Sequence, residues 1–321
     1  MKRRLLGKHT GLSVSALALG TGRLGMKRDG ATDDNVAQRV LRAFAEAGGD
    51  LFDTSSAYQL GASEERLGAF LAEAGRDRFI IASKYGRAAQ AAPAPSLVGS
   101  HRKAMLADVE GSLRRLRTDR IDIYMPHFDD GRTPIEEIMA GLDDLVRTGK
   151  IVHVALSNFP AWRIAEAAML AECRGWAPLA AVQLEYSLLE RDADREHLPL
   201  AWARGLGIMA YSPLGGGRLS RRLRNRSEND VLACALADIA TETEADFSAV
   251  ALAWVRSKGM IPILGPRDEA QLAEGLAAGE TILSAEQIER LNACSEPHRG
   301  QPYEVLAQTR ARLAQQGPVE G

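Results

Sequence analysis

The chain has 321 residues, 45% of them apolar and 26% charged, with a formal net charge of -2, which supplies a large core and argues against a dedicated nucleic-acid or membrane binder. The basic start Met1 to Arg4 is not followed by an apolar stretch of signal-peptide type, and no run of about 18 apolar residues occurs, so a cytoplasmic protein is expected. Cys173, Cys234 and Cys294 are scattered without CxxC spacing, which argues against a disulfide framework or a zinc site and predicts free, mostly buried thiols.

Residues Arg3 to Ser13 carry short apolar pieces around Gly7-Lys8-His9-Thr10-Gly11, which predicts a hairpin outside the main fold. The first repeating strand, Ser15 to Leu19, runs into Gly20-Thr21-Gly22-Arg23-Leu24-Gly25, a literal GxGxxG. A dinucleotide fingerprint needs a helix to begin inside the motif. Here Met26 to Gly30 reads as charged loop and helical periodicity starts near Thr32, which disfavours a Rossmann reading. Val36, Val40, Leu41 and Phe44 form one helix face, and Gly48-Gly49 stop it. A short apolar run then reaches Asp53. A loop carries Tyr58 past Gly61, and Ser63 opens a helix with Leu67, Phe70 and Leu71 on one side.

The same rhythm continues. Phe79 to Ser83 reads as a buried strand ending on Lys84, and a helix from Ser100 is predicted to bury Leu106, Val109, Leu113 and Leu116. Ile121 to Met125 leads to Pro126-His127, and Thr133-Pro134-Ile135-Glu136 reads as a capping box with proline in the first turn. Ile151 to Leu156 ends on Ser157-Asn158. A helix from about Ala161 precedes Ala181-Val182-Gln183, and a helix near Arg195 to Arg204 precedes Gly207 to Ala210, which ends at Tyr211-Ser212. Past Gly215-Gly216-Gly217 come helical segments at Val231 to Ala240 and Ser248 to Lys258, the last strand Ile261 to Leu264, and helices at Glu269 to Ala277 and Ser284 to Cys294.

Strands alternating with helices through short loops imply a parallel sheet, and eight such units with no linker between them predict an α/β chain folded as a single (β/α)8 TIM barrel over residues 1–321, with an N-terminal β-hairpin and extra helices near the C-terminus. The tail 298–321 is Gln- and Arg-rich, and its sequence leaves open whether it is loose or covers the barrel mouth. In a barrel the C-terminal strand ends converge at one mouth, which would gather Asp53, Lys84, His127, Asn158, Gln183, Tyr211 and Gly265.

Those residue types have a chemical logic. A phenol is a poor proton donor at pH 7, a nearby ammonium stabilises its phenolate and lowers its pKa, and a carboxylate holds the ammonium. A histidine beside them can donate a hydrogen bond to a carbonyl oxygen as charge develops there. Carbonyl reduction needs this set, and since no side chain is a hydride donor, a nicotinamide must be imported.

Phe52-Asp53-Thr54 with Tyr58, then Gly61-x-Ser63-Glu64-x-x-Leu67-Gly68, Lys84 at a strand end and Asp122-Ile123-Tyr124-Met125-Pro126-His127 together resemble the aldo-keto reductase family over nearly the whole chain. The resemblance implies Tyr58 as general acid, Lys84 and Asp53 as its tuning pair and His127 as the carbonyl orienter. It implies cofactor contacts from the first loop, Gly20, Thr21 and Gly22; from Ser157, Asn158 and Gln183 to a carboxamide; and from the ring of Tyr211. Ser212, Pro213, Leu214, Gly215 and Gly217 resemble the pyrophosphate segment. Ile263-Leu264-Gly265-Pro266-Arg267 with Gln271 resembles the adenosine end, where the fork of Arg267 suits a 2'-phosphate and favours NADPH/NADP over NADH. The chain departs from the family at Arg218-Leu219-Ser220-Arg221, where a longer loop is usual, and at Gly275 and Pro266. Arg218, Arg221, Arg222 and Arg224 read either as phosphate ligands or as a solvated basic face.

Met26, Tyr85, Arg87, Phe128, Phe159 and Trp162 neighbour the mouth residues and read either as substrate pocket or as packing, with Arg87 suited to a carboxylate or phosphate. His101, His153 and His197 are read as structural. The leading function is reduction of a small-molecule aldehyde or ketone. A cofactor sensor or accessory subunit and a lyase forming a Schiff base on Lys84 are the alternatives. The sequence does not give an oligomeric state.

Overall fold

The fold begins with an antiparallel pair, β1 (Arg3–Leu5) and β2 (Ser13–Ser15); Val14 in β2 and Leu6, just past β1, are fully buried. In the computed structural model, which describes residues 1–25, 32–220, 230–298 and 300–315, this hairpin closes the floor of a barrel. Arg4 donates to the carbonyls of Gly259 (2.5 Å) and Met260 (2.8 Å), and the Lys8 N–H donates to Gly205 O (2.6 Å), so the hairpin is tied to the turns that feed the last two strands.

The barrel strands follow in order: β3 (Ala18–Gly20), β4 (Leu51–Asp53), β5 (Ile80–Tyr85), β6 (Ile121–Pro126), β7 (Ile151–Ser157), β8 (Leu179–Glu185), β9 (Gly207–Tyr211) and β10 (Ile261–Leu264), each parallel to the next, with β10 returning to β3. Parallel neighbours require a crossover, and the helices supply it. These are α1 (Asp34–Glu46), α2 (Ala62–Ala74), α3 (Arg102–Leu116), α4 (Ile135–Arg147), α5 (Ala161–Arg174), α6 (His197–Arg204), the pair α7 (Val231–Glu242) and α8 (Phe247–Ser257), and α9 (Glu269–Ala277). Two more, α10 (Ala285–Cys294) and α11 (Tyr303–Ala314), extend beyond the barrel. The fold is therefore the expected (β/α)8 barrel with its hairpin and extra helices.

Alternation along the strands divides the apolar residues into two sets. Ala18, Leu51, Ile80, Ala82, Ile123, Met125, Ala155 and Met209 fill the barrel interior with Leu6 and Val14, while Leu19, Phe52, Ile81, Tyr124 and Val154 face the helices. Phe52 lies edge-on to Phe44 at 5.3 Å and to Phe79 at 5.4 Å, which joins β4 to α1. Helix starts are set by local chemistry. Asp33 accepts from the N–H groups of Asn35 and Val36 before α1, and Ser284 and Gln287 form a reciprocal capping box at α10. Gly68 lets α2 press on α3, because a Cβ there would stand 2.3 Å from the Arg115 carbonyl oxygen.

Three expectations are corrected. Leu106 is 44% exposed, because α3 presents Met105, Val109, Ser112 and Leu116 to the core and Leu106 falls one residue out of phase. The capping box at Thr133 does not form: Asp130 takes the Thr133 hydroxyl (2.7 Å), and α4 starts after Pro134 without a side-chain cap. Cys173 and Cys234 are exposed and Cys294 is half-buried. Of the tail, whose course the sequence leaves open, Tyr303–Ala314 form α11, held by Tyr303 donating to Glu196 and by Arg195 donating to His298 O (2.7 Å). No helix among the described residues is long and apolar enough to cross a membrane.

Candidate active site

Three polar side chains lie where the barrel interior ends. Lys84, at the end of β5, is fully buried; its Nζ lies 2.9 and 2.7 Å from the two oxygens of Asp53, 2.9 Å from Thr54 O and 3.2 Å from the Tyr58 hydroxyl. Gln183 on β8 donates to Asp53 Oδ1 (2.7 Å) from across the barrel. The register carries Gly20 beside Asp53 and Asp53 beside Ala82, so the β4 carboxylate meets the β5 ammonium one layer above the apolar fill.

Tyr58 is delivered by an unusual turn. Its N–H donates to Ser55 O (3.1 Å). The next two residues, Gln59 and Leu60, have φ of 49° and 56°, and Gly61, at φ 92°, starts α2. Left-handed backbone at a bulky residue costs energy, and neighbouring contacts must hold it. One such contact is Gln59 Nε2 donating to Gly22 O (3.0 Å). The Tyr58 ring meets the His127 ring edge-on at 5.6 Å. His127 Nδ1 lies 3.1 Å from Ser55 Oγ, which also lies 3.4 Å from Lys84 O; where the Ser55 hydroxyl donates to Nδ1, the imidazole hydrogen sits on Nε2.

Charge states follow from these surroundings. Burial pulls the Lys84 ammonium down, but Asp53 and Tyr58 outweigh it and the net shift is upward, so Lys84 stays charged. Burial, then the charges of Lys84 and Arg87, push His127 down to about 2, so the imidazole is neutral through the physiological range. Tyr58 corrects the sequence expectation. Lys84 does favour its phenolate, but burial is the larger effect and Asp53 adds to it, so the phenol is raised rather than lowered and remains a protonated donor.

A cavity of about 600 Å3 opens above this group and extends from Tyr58 and His127 past Asn158 and Tyr211 to Arg267 and Gln271. Along it, the Asn158 amide donates to His127 O (2.8 Å) and Ser157 Oγ (3.1 Å), and the Tyr211 hydroxyl donates to Asn158 Oδ1 (2.8 Å). At the far end Gln271 accepts from the Arg267 N–H (3.0 Å) and Asp268 caps α9.

The structure gathers most of the sequence-read residues at this cavity. Asp53, Tyr58 and His127 line it with Gly20, Gly22, Asn158 and Gln183; Tyr211, Ser212, Pro213, Leu214 and Gly217 follow, then Gly265, Arg267 and Gln271. Lys84, Thr21, Ser157 and Gly215 lie directly behind the lining, the first three fully buried.

Of the substrate-pocket readings that fall on described residues, only Arg87 lines the cavity. Tyr85 is packed outward, stacked on Tyr124 at 5.4 Å with its hydroxyl on Ser100 O (3.0 Å), because it alternates with the inward Lys84. Phe159 is core, Phe128 lies behind Arg87, and Trp162 is exposed on α5. Met26 and the segment with Arg221, Arg222 and Arg224 lie outside the described residues. His101 caps α3, His197 bonds Phe159 O (3.0 Å) and His153 is part of β7; none lines the cavity.

Sequence reasoning missed Arg23, Gly216, Ser220, Ser248 and Glu274 in the lining, and Ser55 behind His127. Arg23 and Ser55 were findable as polar residues within three positions of a strand end. Ser248 was not, because α8 approaches from outside the strand-end pattern.

Residues 16–296 match the model of the Aldo/keto reductase family. The chain is 34% identical to an uncharacterized oxidoreductase of Bacillus subtilis over 96% of this chain and 100% of the relative. It is 33% identical to an aryl-alcohol dehydrogenase (NADP(+)) of Phanerodontia chrysosporium over 94% and 88% of the two chains. It is 29% identical to a norsolorinic acid reductase of Aspergillus flavus over 95% and 84%. With the closed barrel and the Asp53, Tyr58, Lys84 and His127 cluster at its mouth, these likenesses show that the chain belongs to the aldo/keto reductase family of NAD(P)H-dependent oxidoreductases.

Proposed function

We propose that this chain reduces an aldehyde or ketone to the alcohol with NADPH, and that Tyr58 is its proton donor. The observation that carries the reading is the Tyr58 hydroxyl, 3.2 Å from an ammonium locked to Asp53, opening on a cavity whose near wall is a neutral histidine. When bound, a reduced nicotinamide supplies the hydride. Tyr58 gives its proton to the carbonyl oxygen, Lys84 stabilises the phenolate left behind, and His127 donates from Nε2 to the same oxygen as its charge grows. Water returns the proton to Tyr58.

The chain's own residues fit that cofactor. The cavity has room for an extended ligand, and Gly216, Gly217 and Gly265 have open space around the place of a side chain, so backbone N–H groups are accessible to phosphate. Arg267 lines the far end with no carboxylate paired to it among the described residues, which suits a 2'-phosphate. Asn158, Ser157 and Gln183 would hold the carboxamide and Tyr211 the ring face. The name of one relative, an aryl-alcohol dehydrogenase (NADP(+)), favours NADPH and an aromatic carbonyl substrate, and the name of another, a norsolorinic acid reductase, favours the reductive direction.

The test is NADPH consumption with 4-nitrobenzaldehyde by the parent and by Tyr58→Phe. The expected result is steady turnover in the parent and a loss of about 100-fold to 10,000-fold in the variant, with NADPH fluorescence titration unchanged. Full activity in Tyr58→Phe would overturn the assignment, and a parent that binds NADPH without consuming it would favour a sensor. A Schiff base on Lys84 is disfavoured because its nitrogen is held as an ammonium by Asp53, Thr54 O and Tyr58.

A further inference from the structure

The reactive half of the cavity carries more positive charge than proton and hydride transfer require. Arg23 and Arg87 both line it beside Tyr58 and His127, both side chains are exposed to it, and no carboxylate pairs with either among the described residues. The carboxylates in the lining are Asp53, already locked to Lys84, and Glu274, at the opposite end beside Gly275. Arg267 and the Gly216-Gly217 turn serve the distant phosphates, which leaves the two near arginines without a partner in the cofactor reading.

Each sits on a fixed backbone. Arg23 follows Gly22, which lies against the Tyr58 ring and accepts from Gln59, and its own carbonyl accepts from the Thr32 N–H (2.8 Å). Arg87 follows Gly86, whose N–H donates to buried Asp108 (2.8 Å) and whose carbonyl accepts from Gly99 (2.9 Å). The Arg87 guanidinium lies 5.4 Å from the centroid of the Phe128 ring, an arrangement that orients the fork without neutralising it. Its charge reaches Tyr58, His127 and Tyr211.

We propose that Arg23 and Arg87 are specificity residues that bind an oxyanion, a carboxylate or phosphate, on the carbonyl substrate. The inference rests on the reductase reading and narrows its substrate to an anionic aldehyde or ketone. Guanidinium forks recognise planar and tetrahedral oxyanions in two-bond geometry, and a wall closed on one side by His127 and Tyr58 screens them less than bulk water does.

The experiment compares kcat/KM for 4-carboxybenzaldehyde and 4-formylphenyl phosphate with that for methyl 4-formylbenzoate, using NADPH, in the parent, Arg87→Gln, Arg23→Gln and the double variant. The ester group withdraws electrons more strongly than a carboxylate, so intrinsic reactivity favours the neutral compound over the acid, and a preference for the acid is a binding effect. At least one anion is expected to exceed the ester by about 10-fold or more in the parent. Each single variant should lower that ratio by about 5-fold to 10-fold, and the double variant should bring it close to 1. Whichever anion shows the larger ratio identifies the group. Anion-to-ester ratios at or below 1 in the parent, or a ratio that neither variant changes, would overturn the proposal while leaving the reductase reading intact. NADPH left unconsumed with all three aldehydes would instead remove the reductase reading, and this inference with it.

Discussion

Replacing Asp53 by asparagine tests the link between fold and chemistry most directly. Lys84 is fully buried and meets both Asp53 oxygens within 2.9 Å, so the neutral amide leaves an ammonium in the barrel with its counter-charge gone and only uncharged acceptors, one amide oxygen, Thr54 O and Tyr58, as partners. Removing one member of a buried ion pair costs about 3–5 kcal/mol. Lys84 can escape that cost by losing its proton, but taking a proton from an ordinary lysine at pH 7 costs about 3.4 pH units, or about 4.6 kcal/mol. Both routes therefore predict a loss of about 3–5 kcal/mol. With an unfolding entropy of about 2.1 cal/mol/K per residue, a chain of 321 residues should melt about 4–8 °C lower.

The pH dependence has a definite sign. The folded pKa of Lys84 is raised, so the stability it contributes is present below the ordinary lysine value and is lost only as pH rises through the folded value. In Asp53→Asn burial acts with less opposition and the folded value falls; once it lies below the ordinary lysine value the sign reverses, so the variant is least stable at low pH and its deficit against the parent narrows as pH rises through the folded value, while the alkaline limb of kcat/KM moves toward neutral pH. Scanning calorimetry and a kcat/KM profile from pH 6 to 10 read both effects. A variant that melts with the parent and keeps the parent's alkaline limb would refute the claim that Asp53 holds Lys84 charged.

Three further outcomes follow from the geometry. His127, buried and held neutral with a pKa of about 2, should place no limb near pH 6.5 in the kcat/KM profile. Since the unfolded imidazole protonates near 6.5, the parent should lose stability as pH falls through that value, and His127→Gln should lose less while dropping kcat/KM by about 100-fold or more. Asp130 accepts from the N–H groups of Ser100, Arg132 and Thr133 and from the Thr133 hydroxyl. Burial raises its carboxyl, but these donors hold it well below the usual range, so its stabilisation is present above about pH 4 and lost below. Asp130→Asn should cost about 1–2 kcal/mol at pH 7 by urea titration, allowing for solvent screening, with a smaller difference at pH 3. Gly68→Ala would drive a methyl group to 2.3 Å from Arg115 O and should lower stability by about 1–3 kcal/mol with kcat/KM largely retained. An unchanged melting temperature would contradict the packing argument.

Much of the barrel was legible because each apolar run stops at a polar residue where the strand meets the mouth, as at Asp53, Lys84, His127 and Gln183. Loss of apolar pattern and convergence of strands are then the same signal. Pairwise facing within the mouth was less legible. Tyr85 follows Lys84 directly, yet the pleat turns it outward onto Tyr124. Phe159 follows Asn158, whose φ of 55° redirects the chain and sends the ring into the core. Arg23 lies three residues beyond a strand end in a glycine-rich loop, where no periodicity points a side chain. The net effect on Tyr58 was illegible because an opposing charge can be named from sequence, whereas the desolvation that outweighs it exists only once the turn at Gln59 and Leu60 has buried the ring.

The hairpin plug has a bearing on turnover. Leu6 and Val14 seal the floor, apolar side chains fill the barrel above them, and the Asp53–Lys84 pair lies between that fill and Tyr58. On the proposed chemistry, and among the described residues, solvent protons that restore a phenolate formed in one cycle arrive from the mouth by which the alcohol departs, since the floor is closed. Resetting the acid and clearing the product therefore draw on the same side of the barrel. Slow departure of a bulky alcohol would then delay vacancy, so turnover with large products should be governed by egress, whatever the intrinsic ease of reducing them.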